Sequence, residues 1–385
     1  MSVSGNTLSL ARRALAHYRA KTTDQASEVM EMPIGAYVDA DRYQEEIGRI
    51  FKRLPLALAM SLELPEPGSY RALFMLDVPV LMVRGADGVV RAFVNACRHR
   101  GAPICDEGSG RKARFTCPYH AWSYDDCGKL THVYGEESFG AIPPEKRGLN
   151  ELPCAERAGF VWVALSPECS FDIDAWLGEF QPELASLDLE NWHLHEQRDI
   201  DGPGWKVTWD GYLEAYHHNT LHADSVGKYT VGNLMLHDTF GPHQLITFAR
   251  RSIADLEGVA ESQWQPAEHV RLIHSVFPNL SISGVVGDHC LVSQLFPGPD
   301  PMRTVTRQTV LASRAPVTEA ERAGTEGFSN LVLQAVRDED YQMGLSIQAG
   351  MAARRTESFW FGRNEPAVQH YHRWVAHFAG KEEPS

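Results

Sequence analysis

The sequence predicts an α+β chain in two successive parts, an antiparallel β unit followed by a larger domain that combines a second antiparallel sheet with a long C-terminal helix. Three observations carry this reading. Short β-rich runs separated by Gly, Pro and Asp fill the stretch from about Tyr43 to Leu165, similar runs recur from about Leu245 to Ala312, and a continuous helical pattern runs from about Thr318 to Ala349. At 385 residues, 43% apolar and 22% charged, the chain is long enough to build two cores.

In chain order, Leu8, Leu10, Ala11, Leu15 and Tyr18 recur at helical spacing over residues 7 to 19, with Asn6 or Thr7 as cap. Residues 1–42 are therefore assigned to a helical segment that packs on the later domain. Residues 43–166 hold the runs "YRALFMLDVPVLMVRG", "VVRAFVNAC", "ARFTC" and "GFVWVAL", the strands of the first unit. Residues 167–385 form the second. There a Trp-containing acidic segment leads into "GWKVTWDGYLEAYHHNTLHADS", where a helix is expected to begin near Asp210. The runs "VRLIHSVFPNLSISGVV", "HCLVSQLFPG" and "RTVTRQTVLA" supply the second sheet, and "PVTEAE" opens the long helix with Thr318 and Glu321 as a capping box.

Charge narrows the partners. With 36 Lys+Arg against 50 Asp+Glu the formal net charge is −14, which repels nucleic acid and anionic membrane surfaces. Arg12 and Arg13 interrupt what would be the core of a signal peptide, and no stretch approaches eighteen uninterrupted apolar residues, so a soluble cytoplasmic protein is expected. The seven cysteines, at 97, 105, 117, 127, 154, 169 and 290, are odd in number and scattered, which suits reduced thiols, some of them metal-bound.

The stretch "CRHRGAPICDEGSGRKARFTCPYHAWSYDDCGKL" holds two Cys/His pairs, Cys97-x-His99 and Cys117-x-x-His120, separated by residues 100 to 116. Two thiolates and two imidazoles make a tetrahedral zinc site or a cluster site. Structural zinc loops usually pair like ligands within a loop, whereas each loop here brings one Cys and one His. That asymmetry suits a 2Fe-2S cluster with both thiolates on one iron and both imidazoles on the other. The pattern, with its flanking residues, resembles the Rieske fingerprint. High-potential Rieske proteins carry an extra Cys in each loop, joined as a disulfide. Here Tyr119 stands at the second of those places and Cys127 lies beyond the loop, leaving Cys105 without an obvious partner, so the resemblance is to the lower-potential Rieske domains of bacterial oxygenases.

A second constellation follows, His217, His218 and His222. Two imidazoles and a carboxylate on one face would hold a mononuclear Fe(II) and leave positions for dioxygen. On a regular helix, residues four apart lie about 40° from each other, which favours His218 with His222. The segment from Trp205 and Lys206 to His222 resembles the catalytic motif of Rieske non-haem iron aromatic ring-hydroxylating oxygenase α subunits, the terminal oxygenase components. That register implies His217 and His222 as iron ligands and Glu214 as the bridging acid, with a helix that deviates or ends between the histidines. Gly204 and Gly211 stand where the family usually has Asn, which alters the room beside the metal. On the long helix, regular phase puts Val332, Val336, Met343 and Ile347 on one apolar face, with Asp340 inside it and Asp338 pointing away. Asp340 is then the third ligand. Asp338 and Glu339 read as a solvated acidic run. Asp340 with Gln348 matches the family spacing, Leu345 replaces its usual Glu, and "GRNEPAVQHYHRW" is similar to its closing segment.

The resemblance implies a catalytic domain of helix-grip (START/Bet v 1) type, with Cys97, His99, Cys117 and His120 holding the cluster. It implies a cyclic trimer in which the cluster of one subunit serves the iron of the next, with or without a β subunit. Electrons would come from NAD(P)H through a separate reductase or ferredoxin, since no flavin or nicotinamide motif occurs here. The implied reaction is mono- or dihydroxylation of an aromatic or related small molecule with dioxygen, as in aromatic hydrocarbon catabolism, or O- or N-demethylation. A redox carrier or sensor and a zinc hydrolase built on His218 and His222 are the rivals. Asn219, Phe240, Phe248, Leu280 and Phe296 read first as core and only second as pocket lining.

Overall fold

The computed structural model describes residues 7–140, 142–284, 287–353 and 356–381. By contact density the chain divides into Phe51–Trp176 and a second unit made of Met1–Ile50 with Leu177–Ser385. Both edges of the inserted unit thus lie further along the chain than residues 43 and 166.

The inserted unit contains a five-stranded antiparallel sheet, ordered Glu151–Leu152, Val90–Val94, Val78–Arg84, Ser69–Met75, Gly108–Arg111, and two three-stranded sheets. Its first hairpin follows from "FMLDVP": Leu76 and Asp77 both take positive φ (47° and 67°), so a two-residue turn of the primed type joins Met75 to its partner Val78. Alternation along these strands sends Ala72, Leu81, Val83 and Phe93 inward, where they meet Phe115, Trp122 and Tyr124 around Cys97 and Cys117. All seven cysteines are free, so no disulfide joins the two Cys/His loops.

The other unit is organised by a seven-stranded antiparallel sheet, ordered His193–Gly202, Thr304–Ala312, His289–Pro297, Leu280–Ser283, Val270–Val276, His243–Arg250, Thr230–Phe240. The two edge strands lie outside the runs legible from about Leu245. "HLHEQRDIDG" buries only Ile200 and Gly202, so it lacks the alternation that marks a strand from sequence. The N-terminal helix Thr7–Ala20 buries Leu10, Ala11, Ala14 and Leu15 within this unit, and Arg13 pairs with Asp238 at 2.8 Å and Asp24 at 2.9 Å. Asn6, one of its two candidate caps, lies outside the described residues.

Two helical expectations are corrected. The helix expected to begin near Asp210 spans Trp205–Tyr212 and ends before the histidines, which sit on a succession of turns. Trp205 to Trp209 are all buried, so the first part of this short helix shows no polar, solvent-facing side, and only Asp210 to Tyr212 are partly exposed. Its start is fixed by Gln348, whose Oε1 accepts from the Gly204 amide, and a Cβ at Gly204 would stand 2.1 Å from the Pro301 carbonyl. Glycine is required there for closeness of approach, whatever the family's usual residue.

The long helix is not one regular helix. Glu319–Leu333 is α-helical and opens on the Thr318/Glu321 capping box; Gln334–Asp340 is π-helical; Tyr341–Ala352 resumes the α-helix. The wider turn shifts the phase of everything after it. Val332 and Val336 are buried as expected, but the buried positions beyond are Tyr341, Gly344, Gln348 and Met351, while Met343 and Ile347 are 47% and 40% exposed. A single apolar stripe through Met343 and Ile347 is therefore wrong. The helix lies against the sheet through Val332 and Phe328 on Leu291 and Val310, and through Val336 and Tyr341 on Ile200.

Candidate metal centres

Cys97 and His99 follow the strand Val90–Val94, and Cys117 and His120 lie between the short strands Phe115–Thr116 and Ser123–Tyr124. Each pair occupies a tight knuckle. The Cys97 amide donates to Ala102 O at 2.8 Å and the Gly101 amide to Cys97 O at 2.8 Å; in the second loop Cys117 donates to Trp122 O at 2.8 Å and Ala121 to Cys117 O at 3.0 Å. Gly101 and Ala121 both have positive φ, which lets the chain double back.

The donors are arranged by polarity. Both thiols are buried, while His99 and His120 are half-buried, their ring centroids 4.6 Å apart. His99 stacks on Trp122 with centroids 5.0 Å apart. The Tyr124 hydroxyl accepts from the Arg98 amide at 2.9 Å and lies 3.3 Å from Cys97 Sγ, to which it can donate. Burial pushes the Cys97 thiol up, and the neighbouring Cys117 thiol pushes the same way, so thiolates here need a cation. His99 Nδ1 is buried without a hydrogen-bond partner, an open donor atom. Two inner thiols, two outer imidazoles and an orphaned ring nitrogen fit a 2Fe-2S cluster.

In the other unit the chain leaves the Trp205–Tyr212 helix through Glu214. Its carboxylate accepts from the Tyr216 amide and from the His217 amide at 3.2 Å, and it also meets His217 Nδ1. One turn follows, closed by Leu221 N to His217 O at 2.9 Å, and a wider one, closed by Gly227 N to His222 O at 3.0 Å. A Cβ at Gly227 would stand 2.3 Å from the His218 carbonyl and 2.5 Å from that of His222, so the second turn closes only on glycine.

These turns bring His217 and His222 to one side. Their Nε2 atoms lie 3.6 Å and 3.0 Å from the same Asp340 oxygen, and the ligand atoms of all three residues fall within 4.8 Å of one another. Such convergence of two imidazoles and a carboxylate fits a divalent transition metal with positions left open. His218 is not part of it. Its ring is buried edge-on to Phe248, its Nδ1 has no partner, and its pKa is held well below the usual value by burial and by His217 and His222.

Glu339 is the position beside the triad that sequence reasoning missed. Set down there as part of a solvated run, it instead turns inward, with Oε2 2.5 Å from His222 Nδ1 and 2.5 Å from the Ser225 hydroxyl. Hydrogen bonds from Ser225 and His222 outweigh its partial burial and hold its pKa below the usual range. Burial disfavours charge on His222, but Asp340 and Glu339 outweigh it and raise that pKa. Each convergent histidine therefore has its outer nitrogen against a carboxylate, Glu214 for His217 and Glu339 for His222, which fixes tautomer and ring orientation. Asp338 does face solvent, paired with Arg337 at 2.6 Å. The π-helical stretch is what aims Glu339 and Asp340 to the same side, and no residue type in "RDED" announces it.

A cavity of about 70 Å³ opens beside the triad, lined by Phe248, Ile273, Leu291, Val336, Arg271 and Ser283 among others. Gly211 is on its wall, and a Cβ there would meet nothing within 4 Å, so the space beside the triad is open at this position. Of the five residues set down first as core, Phe248 lines the cavity, Leu280 and Phe296 are buried core, Phe240 stacks on Phe180, and Asn219 is exposed.

The chain is similar to known proteins in both of its parts. Residues 55–143 match the family described as Rieske [2Fe-2S] domain, and residues 189–380 the family described as ring hydroxylating alpha subunit (catalytic domain); together the two matches span well over half the chain. The glycine betaine monooxygenase oxygenase subunit of Pseudomonas aeruginosa (strain UCBPP-PA14) is 29% identical over 64% of this chain and 55% of its own length. The chlorobenzene dioxygenase subunit alpha of Cupriavidus sp. (strain PS12) is 37% identical over 37% of this chain and 32% of its own. The chain thus matches about half the length, or less, of these curated relatives. Among solved structures, the quaternary ammonium Rieske monooxygenase CntA with L-carnitine aligns with TM-score 0.77 at 23% identity over 91% of this chain and 96% of that one. Naphthalene 1,2-dioxygenase from Rhodococcus sp. bound to indole gives 0.72 at 18% over 98% and 99%. At those identities the likeness is one of fold.

Proposed function

Because this chain belongs to the family of Rieske-type ring-hydroxylating oxygenase α subunits, we propose that it is the terminal oxygenase component of a multi-protein system and adds oxygen from dioxygen to a small organic substrate. The observation that carries the reading is the convergence of His217, His222 and Asp340 within 4.8 Å at the wall of an apolar cavity, in a chain that also holds the paired Cys/His knuckles. Cys97, His99, Cys117 and His120 would hold the cluster, and His217, His222 and Asp340 a ferrous ion. When bound, the cluster relays single electrons and the ferrous ion activates dioxygen.

The chain's own residues do the positioning. Glu214 and Glu339 keep the outer nitrogens of His217 and His222 engaged, so that both rings present Nε2 inward. Phe248, Ile273 and Leu291 exclude water from the substrate side. Two electrons and two protons accompany each dioxygen, giving an alcohol and water when one oxygen atom is inserted into a C–H bond, or a diol when both are added. Loss of an N-methyl group is a second outcome of the same chemistry, favoured by the likeness to a glycine betaine monooxygenase: hydroxylation of the methyl carbon is followed by breakage of its C–N bond, releasing formaldehyde and the amine. Glu214 also lines an open groove of about 330 Å³ with Met343, Ile347 and Trp360, the last 70% exposed. We read that face as covered by the cluster domain of a neighbouring copy in a cyclic trimer.

The test is anaerobic reconstitution followed by metal analysis and turnover with a surrogate reductase and ferredoxin under isotopically labelled dioxygen. About three irons per chain, two with acid-labile sulfide, and label in the product are expected. Two irons per chain, with none held at the triad after ferrous salt is supplied, would retire the oxygenase.

A further inference from the structure

Away from the triad the cavity wall is built of Phe248, Ile273, Leu291 and Val336 with the small hydroxyls of Ser281 and Ser283, and Arg271 is the one arginine or lysine among its described lining residues. Arg271 lies on the strand Val270–Val276, paired opposite Phe248 on one neighbour, and the next cavity-facing residue of its strand, Ile273, pairs with Ser283 on the other. Among the described residues no carboxylate lies within 4 Å of its guanidinium, and its one hydrogen bond is to the Ser283 hydroxyl at a long 3.5 Å. Its surroundings make the charge costly: burial, then the like charge of Arg250, bring its pKa down to about 10, with only Asp340 acting the other way.

Arg271 also lines an adjoining cavity of about 310 Å³, together with Arg250 and Tyr229. The acid on that wall, Asp288, is 80% exposed and is engaged by His289 at 2.8 Å. Two arginines therefore face a shared space, in a chain whose net charge of −14 would otherwise repel anions. A guanidinium so placed is a planar fork of donors whose one acceptor is the distant Ser283 hydroxyl, the shape that matches a carboxylate in bidentate fashion. A neutral substrate would leave the charge desolvated and unpaired.

We propose that Arg271 anchors a carboxylate of the substrate, so that the molecule oxidised is a small organic acid or zwitterion held with its reacting carbon toward His217, His222 and Asp340. This rests on the oxygenase reading and specifies the substrate class of the same site. Arg271 acts in binding and orientation, and Arg250 adds to the local positive field.

The experiment is equilibrium binding to the full chain carrying cluster and ferrous ion, without reductant, using matched probes: benzoate against benzamide, and glycine betaine against betaine amide, with benzenesulfonate as a non-carboxylate anion. In the unaltered protein at least one carboxylate is expected to bind on the order of 10- to 100-fold more tightly than its amide. Arg271→Met removes that preference and Arg271→Lys restores part of it. Equal affinity within both pairs, binding of no carboxylate, or tighter binding of benzenesulfonate than of either carboxylate overturns the proposal. The comparison in the unaltered protein needs no variant, so misfolding of Arg271→Met cannot void it. Labelled oxygen in a product without carboxylate preference removes the anchor and leaves the oxygenase; carboxylate preference without oxygen uptake does the reverse.

Discussion

The two candidate metal centres are built in opposite ways. The Cys/His knuckles lie within residues 97 to 120, each closed by its own backbone hydrogen bonds, with the donors sorted by burial into thiols inside and imidazoles outside. The triad joins a run of turns to a helix more than a hundred residues later, and its imidazoles are held by carboxylates from both segments. Local closure makes the first site tolerant of change elsewhere in the chain. The second depends on long-range packing and on the π-helical phase shift that aims Glu339 and Asp340 together.

The strongest way to break the contrast is to delete a donor on each side. Cys117→Ser is expected to abolish the visible absorption of the cluster and leave ferrous binding at the triad intact, whereas His222→Ala does the opposite and abolishes turnover. Loss of both metals in either variant would mean that the two sites fold as one. In the same series His218→Ala keeps its iron, because that ring does not converge with Asp340; loss of iron there, with retention in His217→Ala, would reverse the ligand assignment.

Next in size is the support of His222. Glu339→Gln is expected to weaken ferrous affinity by about 10- to 100-fold, read by anaerobic iron titration, while Asp338→Asn leaves it unchanged. If the adjacent substitutions behave alike, the inward turn of Glu339 has no function. Further out, Lys206 is buried against Glu46 at 2.6 Å, and burial lowers its pKa to about 8 despite the partner. Glu46→Gln strands that ammonium in the core and should cost about 3 kcal/mol in chemical unfolding. The change should loosen the helix leading to Glu214 and spare the cluster spectrum.

The most gradual effect, spread over several pH units, is one of acid sensitivity. Burial, and then the neighbouring His237, lower the His370 pKa to about 3. In the pH range between that value and the ordinary 6.5, the unfolded chain binds the proton and the folded chain does not, so stability falls as pH falls, by at most about 1.4 kcal/mol per unit for this group. His370→Gln should flatten the decline of Tm between pH 6.5 and 4. An unchanged slope would place the acid sensitivity elsewhere.

How much of this was legible in advance differs between the sites for a physical reason. Hairpins, knuckles and caps are short-range: Leu76–Asp77, the Cys/His spacings and Thr318/Glu321 each act within a few residues, and reading them in order was enough. Regular helical phase turned Val332, Val336 and Asp340 inward as the structure has them but misplaced Met343 and Ile347, and Glu339 passed for part of a solvated run, because a π turn has no residue signature of its own. The edge strand His193–Gly202 escaped notice since its side chains are half-exposed on both faces.

By itself, then, the order of residues determined the α+β class, the donor types and the pairing of thiol with imidazole in each knuckle, since these depend on neighbours along the chain. Helical spacing favoured His218 and the motif register His217, and the tertiary structure brings His217 to Asp340. Only the tertiary structure decided that Glu339 faces inward and that Arg271 enters the cavity without a carboxylate partner. Those outcomes depend on which groups distant segments bring within a few ångströms, and close packing between segments settles that, whatever the spacing within them.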